Sequence, residues 1–330
     1  MNRKTKKIII ILAIVGTLCA SAAYFIGDYF VNYSLVRTIG EEPDSANDPN
    51  APSNEFNAIV ESNKEELSKK HAEWVKNIEV NNKSITSYDG LKLNAVEYIV
   101  DNSSNKWIIL VHGYTSSNQE MLMRAYMYGI KGYNILMPNN RAHGDSEGKY
   151  IGMGWLDRLD IINWVNTIVD SNKNAEIVLY GISMGGATVN MVAGEVELLS
   201  QNVKAIVSDC AYTTAWDMFV NQLDYRFNLP SFPILNFAHA VANTRIGYDL
   251  KDANALTQVE KSKLPILFIH GDIDNYVPLY MIYDLYNASK NPNSEILIIE
   301  GANHAESDYV NPSLYYERLF NFLDKNVNNK

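Results

Sequence analysis

Two hydrophobic rhythms divide this chain. From Ile8 to Ile26 the residues are apolar or weakly polar without a break, and Gly27-Asp28 ends the run. Coiled as a helix at about 1.5 Å per residue, that stretch spans about 28 Å, close to a bilayer core. The segment Glu41 to Ser53 is polar and carries Pro43, Pro49 and Pro52, the composition of a tether. Phe56 to Val80 has helical spacing with a mixed charged face, which predicts a helix lying on the body with His71 exposed on its surface.

From residue 84 the period shortens. Ile85 to Tyr88, Asp89-Gly90 and Leu91 to Val100 form a β-hairpin signal. Buried-looking strands then alternate with helical stretches. Trp107 to Val111 precedes a helix near Gln119 to Ile130, and Tyr133 to Met137 precedes one near Trp155 to Val169. Ile177 to Tyr180 leads into a helix starting near Met184, and Val203 to Val207 follows. Pro265 to Ile269 precedes a helix near Leu279 to Ala288, and Ile296 to Ile299 one from Ser313 to Lys325. Repeated strand–helix units predict an α/β fold, a mostly parallel central sheet with helices on both faces. Asp209 to Pro265 breaks the rhythm. It offers no strand but holds Trp216, Met218, Phe219, Leu223, Tyr225, Phe227, Phe232 and Phe237, so a helical cap over about 212–262 is expected. The expected organisation is a cytoplasmic tip and transmembrane anchor (1–27), a tether and lead-in helix (28–83), and one catalytic domain (84–330).

Charge adds a direction. Arg3, Lys4, Lys6 and Lys7 precede the apolar run, so the N-terminal tip should stay in the cytoplasm and the body lie outside. Ala20-Ser-Ala22 resembles a signal-peptidase site, which leaves a cleaved, secreted form as the rival to a single-pass anchor, although the run continues through Tyr24-Phe-Ile26. Gly16-Thr-Leu-Cys19 lacks the small residue expected before a lipidated cysteine. The net charge is −10 even with those four cations, and an acidic body argues against nucleic acid as a partner. Cys19 and Cys210 are the two cysteines, so no disulfide can form within the body, and Cys210 reads as a core thiol.

The chemistry concentrates at strand ends. Gly181-Ile-Ser-Met-Gly185 sits between the run Ile177 to Tyr180 and a helix start, the context of a nucleophile elbow presenting Ser183. The same pattern at Gly144 to Gly148 follows a polar stretch, so Ser146 reads as a loop serine. Hydroxyl attack on a carbonyl needs a base, an acid orienting it, and donors for the developing oxyanion. Ligands in this architecture meet beyond the C-terminal ends of the strands. His304, just after the last strand, is the candidate base, while His112 and His270 shape backbone and His143 and His239 are peripheral. Asp274 after the penultimate strand is the candidate acid, with Asp209 as the alternative and Asp272 holding the turn. The backbone N–H groups of Tyr114 and Met184 are the candidate oxyanion donors.

These motifs carry a resemblance. His112-Gly-Tyr-Thr115, Arg141 to Gly148, Gly181 to Gly186, Asp274 to Pro278 and His304 make the chain, over about 84–328, similar to α/β-hydrolases of the monoglyceride-lipase and serine-aminopeptidase-like branch, especially bacterial membrane-anchored members. Where the family often has Arg-Gly-His-Gly, this chain has Arg141-Ala-His-Gly144. With serine as nucleophile, the resemblance implies ester, thioester or amide hydrolysis. No metal-ligand cluster such as HExxH and no phosphate-cradling loop is present, so no cofactor or metal is expected. The aromatic, weakly charged cap favours an uncharged acyl group held by Trp216, Phe219, Tyr225 and Phe227. The expected activity is hydrolysis of short- to medium-chain carboxylic esters, lipid-derived ones among them, falling below roughly pH 6.5 as the imidazole protonates. An anchored aminopeptidase, using Asp217 or Asp224 to hold an ammonium, and a catalytically silent binding protein are the alternatives.

Overall fold

Helix α1 (Arg3–Leu35) outruns its apolar stretch: the run ends at Ile26, but the helix continues through Gly27-Asp28 to Leu35. The computed structural model describes residues 2–37 and 56–327, so the expected tether lies outside the described residues. Helix α2 (Asn57–Trp74) forms as its spacing predicts but stops early, and a 3-10 turn at Val75–Asn77 leads into strand β1 (Glu79–Thr86). The strand begins at Glu79, ahead of the predicted hairpin arm at Ile85, because its side chains are all exposed or half-buried and carry no apolar run. It is an edge strand, dictated by main-chain pairing with β2 (Lys92–Ile99) along its whole length, from Glu79 opposite Ile99 to Thr86 opposite Lys92. Gly90 turns the hairpin at φ +90°, which glycine adopts without strain. His71 is not the exposed residue expected. It is half-buried, with its ring stacked on Tyr98 and tilted against Trp74, and burial lowers its pKa.

The remaining elements alternate as read. They are β3 (Lys106–Val111), α3 (Leu122–Gly129), β4 (Asn134–Pro138), α4 (Asp157–Ser171), β5 (Glu176–Ile182), α5 (Met184–Ala193) and β6 (Val203–Asp209). After the insertion, with α6 (Ala215–Phe227) and α7 (Ser231–Asn243), come α8 (Ala255–Lys261), β7 (Ile266–Gly271), α9 (Tyr280–Ala288), β8 (Glu295–Ile299), α10 (Ser307–Val310) and α11 (Pro312–Asn326). The sheet order is β1-β2-β4-β3-β5-β6-β7-β8. The hairpin and the β2–β4 pair are antiparallel, and every later pair is parallel. Strands β3, β4, β5 and β7 are buried almost throughout because helices cover both faces, which is why they read as unbroken apolar runs.

The chain forms two compact units. One holds residues 37–215 and 253–330, including the whole sheet. Its core joins Ile108, Leu110, Val178 and Ile182 from the strands to Tyr128, Leu319 and Phe322 from α3 and α11. The other unit joins residues 1–36 to 216–252, so α1 belongs with α6 and α7. Gly27, Val31 and Leu35 recur at every fourth position and form the buried face of α1. A Cβ on Gly27 would lie 2.4 Å from the Phe237 carbonyl oxygen and 2.9 Å from Val241 Cγ2, so only glycine lets these helices approach so closely. Phe30 and Tyr33 meet the Phe227 ring edge-on, at centroid distances of 5.4 and 5.3 Å. Arg245 pairs with Asp28 and donates to the Tyr24 hydroxyl and to Asn32 Oδ1. The preceding stretch of α1, Ile8 to Ala22, is exposed, long and apolar enough with its neighbours to cross a membrane.

Candidate active site

Strand β5 delivers Ser183 into a turn with φ 55° and ψ −118°, a conformation that side-chain-bearing residues rarely hold. The glycines on either side make it sterically feasible. A Cβ on Gly181 would meet the Gly185 carbonyl oxygen at 2.1 Å, and one on Gly185 would meet that of Val111 at 2.1 Å. The Ser183 N–H donates to the Asp209 carbonyl at 2.8 Å, and the Ser183 carbonyl accepts the first helical bond from Ala187 N–H at 3.0 Å. The second pentapeptide behaves differently. Ser146 Oγ donates to the Asn139 carbonyl at 2.7 Å and accepts from Asn94 N–H at 2.9 Å, which uses it as a pin between loops.

His304 and Asp274, both from loops at the C-terminal ends of strands, meet Ser183. His304 Nε2 lies 2.9 Å from Ser183 Oγ, and His304 Nδ1 lies 2.7 Å from Asp274 Oδ2. Because a carboxylate only accepts, Nδ1 is assigned the proton and the Nε2 lone pair faces the hydroxyl. Asp274 is itself fixed: Oδ1 accepts the N–H groups of Tyr276 at 2.9 Å and Val277 at 2.8 Å. Burial pulls the His304 pKa down, but the Asp274 charge and hydrogen bond, helped by Cys210, outweigh it and hold it well above the ordinary histidine value. The other acids are committed elsewhere. Asp209 Oδ2 accepts from the hydroxyls of Tyr180 at 3.0 Å and Tyr315 at 2.6 Å, and burial pushes its carboxyl up to about 6. Asp272 Oδ1 accepts the Gly301 N–H at 2.7 Å, fastening the turn opposite.

The loop after β3 runs beside the serine: a Cβ on Gly113 would lie 3.5 Å from Ser183 Cβ. Tyr114 follows in that loop. Met184 is the first residue of α5, where N–H groups have no partner within the helix. Two neutral histidines brace the loop. His112 Nδ1 donates to the Gly113 carbonyl at 2.8 Å while Nε2 accepts from Asn140 N–H at 3.0 Å. His143 Nδ1 donates to the Arg141 carbonyl at 2.8 Å while Nε2 accepts from Thr115 N–H at 3.0 Å. Burial lowers them to about 4 and about 3 respectively, so neither carries charge at neutral pH. Ala142 stands at φ 61°, a conformation that glycine adopts without strain.

Three neighbours were missed in the sequence. Glu120 Oε2 accepts the Gly113 N–H at 2.9 Å. Arg124 of α3, 2 % exposed, pairs at 2.9 Å with the fully buried Asp308 and donates to the Ala305 carbonyl at 3.4 Å, bracing the His304 loop from behind. No local pattern flags an arginine on the inner face of an apolar helix. Cys210, which follows β6 at φ 42°, offers a donor atom within 4.8 Å of donor atoms on both Asp274 and His304. Burial pushes its thiol up to about 11, so it is protonated and does not compete with Ser183 as a nucleophile.

Trp216, Phe219, Tyr225 and Phe227 all lie half-buried on α6, in the unit that includes α1. Trp216 packs edge-on against His239, with Lys251 Nζ 4.5 Å above its ring, and Phe227 is taken up by Phe30 and Tyr33.

A family model described as the alpha/beta hydrolase fold matches residues 106–233. The uncharacterized protein YqkD of Bacillus subtilis is 28% identical over 228 residues, covering 69% of this chain and 74% of that protein. An uncharacterized membrane protein of Saccharomyces cerevisiae, YNL320W, is 24% identical over 242 residues, 73% of this chain and 78% of the yeast protein. Among solved structures, the Pyrococcus furiosus esterase Pf2001 superposes with a TM-score of 0.61 at 26% identity, covering 80% of this chain and 95% of the esterase. The chain therefore has the alpha/beta hydrolase fold, with a mostly parallel eight-stranded sheet among the described residues.

Proposed function

On the premise of an alpha/beta hydrolase fold, we propose that this protein is a serine hydrolase of the monoglyceride-lipase and serine-aminopeptidase-like branch, cleaving short- to medium-chain carboxylic esters. One observation carries the reading: the unbroken hydrogen-bond path from Ser183 Oγ through His304 to Asp274, at 2.9 and 2.7 Å. In the proposed reaction Ser183 Oγ attacks the ester carbonyl as His304 Nε2 takes its proton. The Tyr114 and Met184 N–H groups receive the oxyanion, and removing one such donor typically costs on the order of 10²–10³ in turnover. His304 returns the proton to the leaving alcohol, and water then releases the acid from the acyl-enzyme by the same path reversed. Asp274 stabilises the imidazolium formed in each half.

The aromatic content of α6 supports an uncharged acyl group as the substrate class. The esterase Pf2001, at 26% identity, favours the ester reading over the peptidase one. The basic tip and long apolar α1 support a single-pass anchor with the catalytic unit outside the cell. A panel of p-nitrophenyl acyl esters and amino-acid anilides, run on the full chain, tests the assignment. Esters of short to medium length should turn over fastest, and a clear preference for the anilides would replace the esterase reading with an aminopeptidase.

The acid limb of the pH profile is a second test. His304 must be neutral to accept the serine proton, and its pKa is raised by Asp274, so the base form appears only at higher pH than an ordinary histidine allows. The limb in kcat/KM should therefore fall above about pH 6.5, not at it. An inflection at or below that value would contradict the coupling of His304 to Asp274.

A further inference from the structure

Cys210 forms and breaks no bond in the proposed reaction, yet it lies against the reacting pair. Its sulfur, a carboxylate oxygen of Asp274 and a ring nitrogen of His304 lie within 4.8 Å of one another, two of these residues buried and His304 half-buried. Soft and borderline divalent cations take such a donor set, with bonds of about 2.3 Å to sulfur and about 2.0–2.2 Å to nitrogen and oxygen. Donors around one tetrahedral ion then stand about 3.3–3.8 Å apart, so closing this trio onto a metal shortens its gaps by about 1.5 Å at most. Main-chain N–H groups hold two of the three donor residues in place: the Cys210 N–H donates to the Ile269 carbonyl at 2.8 Å, and Asp274 Oδ1 accepts from Tyr276 and Val277. The His304 side chain, 19% exposed, gives access from solvent.

We propose that Cys210, Asp274 and His304 form an inhibitory site for a thiophilic divalent cation of the zinc class. The inference rests on His304 being the base. On binding, the Cys210 thiol releases its proton to solvent and its sulfur bonds the metal as thiolate. Inhibition follows whichever ring nitrogen takes the ion. Bound through Nδ1, the imidazole must carry its hydrogen on Nε2 and cannot accept the Ser183 proton. Bound through Nε2, the lone pair that serves as base is consumed. The site is thus an off-switch and not a cofactor centre.

The test uses the full-length protein in detergent, with Cys210→Ala and Cys210→Ser beside wild type. Hydrolysis of p-nitrophenyl butyrate is followed against buffered Zn²⁺, and Co²⁺ is added separately to look for thiolate-to-cobalt charge-transfer absorption. Wild type should lose turnover reversibly, with recovery on chelation, and show the cobalt band. Both variants, each compared with its own metal-free rate, should lack the band and need on the order of tenfold or more Zn²⁺ for half-inhibition. Equal sensitivity in wild type and variants, or no cobalt band in wild type, overturns the site. A cobalt band in wild-type protein that hydrolyses neither esters nor anilides leaves the cation site standing and removes the serine-hydrolase reading instead.

Discussion

Ser183→Ala should lower kcat for p-nitrophenyl esters by on the order of 10⁶, leaving a residual on the order of 10³–10⁴ over the uncatalysed rate, while the protein stays folded. The magnitude follows from what the hydroxyl does. It supplies the bond to the acyl carbon, and no neighbour can substitute: Ser146 is bonded between Asn139 and Asn94, and Cys210 is a buried protonated thiol. The variant should fold because alanine meets the strained elbow at φ 55° with the same Cβ as serine, and the elbow is fixed by main-chain bonds to Asp209 and Ala187. An unchanged melting temperature and loss of fluorophosphonate labelling should accompany the loss of turnover. Ester hydrolysis near the wild-type rate in Ser183→Ala would sink the assignment.

Asp274→Asn should cost on the order of 10⁴ in kcat with little change in KM. The asparagine oxygen replaces Oδ1 and still accepts from Tyr276 and Val277, so the loop keeps its shape. Its NH2 group then faces His304 Nδ1, where Oδ2 stood. An amide N–H in that place favours the tautomer with hydrogen on Nε2, which aims a donor at Ser183 Oγ. The ring is in position but presents the wrong tautomer. Steady-state kinetics on the purified variant checks the split, and a tenfold or smaller effect on kcat would mean that the imidazole is oriented by another group.

The fold was legible where burial is two-sided. Runs such as Trp107 to Val111 and Ile177 to Tyr180 are apolar because helices cover both faces, so they announce strands on their own. Of strand β1 only the end at Ile85 was legible, as a hairpin arm; Glu79 to Ser84 was not, since an edge strand with exposed side chains is specified by its partner. His71 was misplaced for a related reason: its helix is charged overall, and only contact with Tyr98 and Trp74 buries it. At the site, Ser183, Asp274 and His304 could be named from their places after strands, because that topology brings strand ends together. Glu120 and Arg124 stay silent in the sequence, and Cys210 reads there as a core thiol, which it is, but not as a neighbour of the site. Each acts through a partner remote in the chain or through a backbone twist, such as the positive φ of Cys210, that no motif encodes.

The Gly27 seam bears on biogenesis. Residues 24–35 leave the ribosome long before Phe227, Phe237 and Arg245, the groups they will pack against, have been translated. Until then the stripe of Gly27, Val31 and Leu35 has no protein to cover it, so this unit closes late, by a contact between distant parts of the polypeptide. A soluble version begun at Asp28 would lose Tyr24 and Gly27 and start inside that packed face. A cut after Ala22 would spare it, leaving a short stub held in place by the very helices it helps to seat.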